Sequence, residues 1–70
     1  MAETELIFTV AEAPEGGYVA RALGYSIFTE AETLAELREL VRDAVRAHFD
    51  DHERPAVIRL HLVREEVIPA

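Results

Sequence analysis

The densest cluster of chemistry-bearing side chains is His48-Phe49-Asp50-Asp51-His52-Glu53, where imidazoles and carboxylates crowd into a few residues. Such donors could ligate a divalent cation, provided that they converge on one point. His48 falls on the apolar stripe of a helix, whereas His52 falls beyond its end, so the spacing points the two rings apart. The expected reading is a polar helix exit, with His48 favoured in the last turn by the helix dipole. No metal or cofactor is expected. Glu12, Glu15, Glu30 and Glu32 stand near turns and could pair as acid and base, but no nucleophile or histidine adjoins them in sequence. Ser26 and the threonines lack the strand-turn-helix setting of a nucleophile elbow. Gly16-Gly17 lies between two strands rather than before a helix, which is the wrong place for a phosphate loop. These residues support no reaction, and the chain is expected not to be an enzyme. Arg21, Arg59 and His61 could share one sheet face. With the amphipathic rings of Tyr18 and Tyr25 they are the candidate partner-contact residues.

The elements that would position these groups must fit into 70 residues, enough for one domain. A chain this short buries only roughly 60% of its unfolded surface, so a domain of this size is marginally stable. The chain has no cysteine, so no disulfide or thiolate-metal site can support it. Association between chains is the remaining support, and a homodimer or higher oligomer is expected. Fourteen acidic residues face seven basic ones, all arginine, for a formal charge of −7. That charge repels phosphate backbones and argues against direct nucleic-acid binding; it suits a basic partner. No run approaches the roughly 20 apolar residues of a membrane span. The start, Met1-Ala2-Glu3-Thr4-Glu5, is acidic, unlike a secretion signal. The expected location is cytoplasmic, with no membrane contact.

Leu6 to Ala11 alternates as a strand with both faces largely apolar, which predicts cover on both sides. Ala13-Pro14-Glu15-Gly16-Gly17 supplies a proline and glycines for a hairpin turn, and Tyr18 to Leu23 returns as a second strand. Gly24 breaks that run, and Tyr25 to Glu30, rich in β-formers, is expected as a third short strand. Thr33-Leu34-Ala35-Glu36 matches a capping box. Leu34, Leu37, Val41, Ala44, Val45 and His48 then recur at helical spacing as the buried stripe, leaving Glu39, Arg42, Asp43 and Arg46 in water. Pro55 cannot continue a helix. Ala56 to Arg64 forms the last strand, with Ala56, Ile58, Leu60 and Leu62 on one face and Val57, Arg59, His61 and Val63 on the other. The expected fold is α+β: a single β-β-β-α-β domain over residues 1–70, with an antiparallel-type sheet and one helix on one face. One helix covers one face only, so the opposite face is left open in a monomer.

Glu15-Gly16-Gly17-Tyr18-Val19-Ala20, the short strand after Gly24, and Glu32-Thr33-Leu34-Ala35-Glu36-Leu37 together resemble the N-terminal domain of HicB-type antitoxins, over about residues 6 to 63. The resemblance implies a partial RNase H-like fold and a domain that binds and inhibits a small RNA-cleaving toxin. Two positions depart from the family pattern: Ala31-Glu32 replaces its Gly-Asp before the capping threonine, and Leu23-Gly24-Tyr25 replaces its Pro-Gly-Cys. The DNA-binding segment usual in the family is not among these 70 residues, so a stand-alone toxin-binding module is expected. Thr9 and Val10 stand where an RNase H nuclease would need a metal-binding aspartate. The alternative expectation is a self-assembling domain without a toxin, holding a small ligand between subunits.

Overall fold

The computed structural model describes residues 4–70; residues 1–3, the first part of the acidic start, lie outside them. Five elements follow in the order β1 (Glu5–Glu12), β2 (Tyr18–Ala22), β3 (Phe28–Ala31), α1 (Leu34–His48) and β4 (Val57–Val63). Spatially the strands run β3-β2-β1-β4. The β1–β2 and β2–β3 pairs are antiparallel, whereas β4 lies parallel to β1. The expected β-β-β-α-β domain is therefore present, but its sheet is mixed rather than antiparallel throughout. The helix is the physical reason: it carries the chain back along the sheet, so β4 sets out in the same direction as β1.

Each junction has a local cause. Between β1 and β2 the Ala13 N–H donates to the Gly17 carbonyl (2.9 Å) and the Gly16 N–H to the Ala13 carbonyl (3.0 Å). Gly17, at φ +83°, is pressed against the joint after β3: a Cβ there would stand 2.7 Å from the Ala31 carbonyl oxygen. The Thr33 hydroxyl accepts from the Glu36 N–H at 3.1 Å and caps the helix as expected. The helix ends at His48, before Pro55, because the Phe49 backbone turns extended.

The core is one layer between the sheet and α1. Leu6, Phe8, Val10 and Ala20 come from the sheet, Leu37, Val41 and Val45 from the helix, and Ile27 from the loop before β3. Each fully buried large apolar side chain contributes about 1.5–3 kcal/mol relative to exposure. Two expectations change here. His48 is exposed rather than buried: it is the last helical residue, and Tyr25 and Phe49 hold its ring edge-on at the rim of the core. The third strand begins at Phe28, not Tyr25; the Ala22 N–H donates to the Ile27 carbonyl at 3.0 Å and holds residues 23–27 as a loop. No helix among the described residues is long and apolar enough to cross a membrane.

Candidate binding surfaces

Strand alternation and register together build the face turned away from the helix. One row crosses all four strands as Phe28, Arg21, Thr9 and His61; the next holds Glu30, Val19, Ala11 and Val63. Ile7 and Arg59 are paired in the row beyond, followed by Glu5 and Val57. Among the described residues nothing covers this face. Phe28 is half exposed, as are Val57 and Val63, and the second face of β1 is only partly shielded rather than covered as expected. The Arg21 guanidinium lies 4.8 Å from the Phe28 ring centroid, a contact worth about 0.5–1 kcal/mol at such a site. Arg59 donates through Nε to the Glu5 carboxylate. That hydrogen bond, and secondarily the charge of Glu5, raise the Arg59 pKa above its ordinary value.

The sequence candidates therefore separate. Arg21, Arg59 and His61 do share the open face, but Tyr18 and Tyr25 do not. Tyr18 pairs opposite Glu12 and Ala31 on the helix side, where it is half-buried. Tyr25 packs edge-on against Phe49, with ring centroids 5.0 Å apart, and against His48 at 5.7 Å. These rings close the core at the C-terminal end of the helix, and the His48 imidazole is a packing group in that cluster. Among the described residues no three or more His, Asp or Glu side chains are grouped to hold a metal ion.

Carboxylates gather at the hairpin end. Glu30, Glu32 and Glu36 border a shallow depression with Tyr18 and Gly16. Glu30 also lies on the open face beside Val19, so the apolar face runs into an acidic rim. No histidine lines this depression, which leaves its carboxylates without the imidazole partner that a Glu–His acid-base pair would need.

A second surface was not foreseen from the sequence. The helix packs beneath β2 and β3 and stops short of β4. The gap is a groove of about 650 Å³. Its floor is the helix-side face of β4, where Ile58 and Leu60 are half-buried and Leu62 is 54% exposed. Arg38, Arg42 and Arg46 line its helix wall, and Arg54 and Pro55 contribute at the β4 entry. The lining contains four of the seven arginines and no carboxylate. Arg42, Arg46 and Arg54 pair outward with Glu39, Asp43 and Asp51 at 3.2, 3.7 and 2.7 Å; Arg38 forms no ion pair among the described residues. The sequence signal was arginine at every fourth position, which sets one edge of a helix.

No family model matches the chain, and no solved structure matches it significantly. Two curated relatives do. A UPF0150 protein of Archaeoglobus fulgidus is 58% identical over 50 residues, covering 71% of this chain and 74% of the relative. A UPF0150 protein of Thermotoga maritima is 36% identical over 66 residues, covering 94% and 93%. With identity sustained from end to end of the fold, the chain belongs to the UPF0150 family.

Proposed function

We propose that this domain is a non-catalytic protein-binding module that receives a small basic protein on its open sheet face. The observation carrying this reading is the uncovered face itself: apolar residues from all four strands (Phe28, Val19, Ala11, Ile7, Val57 and Val63), interspersed with Arg21, Arg59 and His61, running into the acidic rim at the hairpin end. An uncovered face of this kind marks an interaction site. The net charge of −7 steers a cationic partner and speeds its encounter. Affinity then comes from desolvated apolar and aromatic contacts, with Phe28, Val19 and Val63 the residues placed to make them. Arg21, Arg59 and His61 set orientation within the patch. The same charge disfavours direct binding of DNA or RNA. The resemblance of residues 6–63 to HicB-type domains supplies the partner class, a small basic toxin that acts on RNA, with the domain in a neutralising role.

Co-purification from native extract at moderate salt tests the proposal. The expected result is recovery of a small, Arg- and Lys-rich protein in a fixed ratio to the chain, and no nucleic acid. Recovery of the chain alone, or of nucleic acid without a basic protein, would overturn it.

A further inference from the structure

The arginine-lined groove lies along an edge strand. Among the described residues β4 pairs with β1 on one side only, so its other side presents unpaired N–H and C=O groups. Natural edges are blunted by charged side chains, proline or bulges; Val57-Ile58-Arg59-Leu60-His61-Leu62-Val63 has no proline, its one arginine is paired with Glu5 of β1, and its ladder with β1 is unbroken. Beyond it, residues 64–70 carry Glu65-Glu66 followed by Val67 and Ile68, which are 94% and 73% exposed. The chain thus holds an acidic–apolar segment and a groove of arginines over an apolar floor, each the chemical complement of the other.

The segment cannot readily reach its own groove. Between Leu62 and Ile68 there is no glycine, proline, asparagine or aspartate, the residues that reverse a chain. Arg64 instead continues the alternation of β4: its guanidinium lies 3.7 Å from the Glu12 carboxylate, one step past the Ala11–Val63 pair. Continued further, the same alternation sets Glu66 and Ile68 on the groove side and Glu65 and Val67 on the open-face side.

We infer that the groove is completed by a second copy of this chain: two β4 edges pair antiparallel about a two-fold axis at Val63, and each copy's residues 64–70 lie across the other's groove. In that register Glu66 stands opposite the partner copy's Leu60 beside Arg38, and Ile68 stands opposite Ile58 on the apolar floor. Glu65 faces His61. Such an isologous pairing is closed, adds a full set of ladder hydrogen bonds, and covers both unprotected edges. It joins two four-stranded sheets into one and leaves the open faces free for another protein.

The tested residues are exposed, so their variants keep the fold. Light scattering of the full chain at micromolar concentration is expected to give twice the chain mass. Glu66→Arg sets a like charge against the groove arginines and Ile68→Asp puts a carboxylate on the apolar floor, and together they are expected to weaken the dimer by at least about tenfold. Glu66→Arg combined with Arg38→Glu in the same chain restores the pair and recovers the dimer. A monomeric mass for the unaltered chain would overturn the inference. So would a dimer of Glu66→Arg/Ile68→Asp with unchanged affinity, because association would then run through another surface.

Discussion

Gly17 and Gly24 share a left-handed φ, +83° and +84°, but have opposite surroundings. A Cβ on Gly24 would meet nothing within 4 Å, whereas one on Gly17 would stand 2.7 Å from the Ala31 carbonyl oxygen and 3.4 Å from the Glu32 Cα. Alanine at either position incurs the left-handed strain of an L-residue, about 1–2 kcal/mol, offset by about 0.4–1 kcal/mol from a less flexible unfolded chain. Only Gly17→Ala must also push backbone away from backbone, for which about 1–3 kcal/mol is the usual cost of overpacking. The difference between the two variants therefore isolates the clash. A domain of this length holds only roughly 4–10 kcal/mol in total, at about 0.05–0.15 kcal/mol per residue. With a urea slope near 1 kcal/mol/M, the midpoint of Gly17→Ala should fall about 1–3 M below that of Gly24→Ala. The assay is urea unfolding followed by circular dichroism, with equal slopes as the check on two-state behaviour. Coincident midpoints would refute the close packing of the hairpin turn on the β3–α1 joint.

Two further outcomes are expected. Thr33→Ala removes the hydroxyl that accepts from the Glu36 N–H and should destabilise by about 1 kcal/mol; an unchanged denaturation midpoint would count against this cap. For the co-purified basic partner, raising salt should slow association more than it speeds dissociation, which stopped-flow mixing and dilution measure separately; a salt-independent on-rate would remove the steering role of the acidic rim.

Local chemistry was legible where one residue type has one use. Thr33 with Glu36 placed the helix start, and alternation sorted β4 correctly into a core-side set and an open-face set. The misreadings came from tertiary context. Tyr25 is a good β-former, yet Gly24 and the Ala22–Ile27 hydrogen bond hold it in a loop, where its ring seals the helix end against Phe49. His48 has the right spacing for the buried stripe but ends the helix and stays exposed at the rim of the core, against Tyr25 and Phe49. The groove escaped for a related reason. Arg38, Arg42 and Arg46 read as solvated residues until β4 is set beside them, and its parallel placement next to β1 is a long-range choice.

The central claim is that the open sheet face receives a protein partner, and paired pull-downs test it most directly. Phe28→Asp and Val19→Asp alter side chains of that face on β3 and β2, away from the β4 edge, while Arg42→Glu alters the groove on the opposite side. With circular dichroism unchanged in all three, the account predicts that both open-face variants lose the small basic partner and that Arg42→Glu retains it. Retention by both open-face variants with loss in Arg42→Glu would contradict it and move the binding site to the helix side.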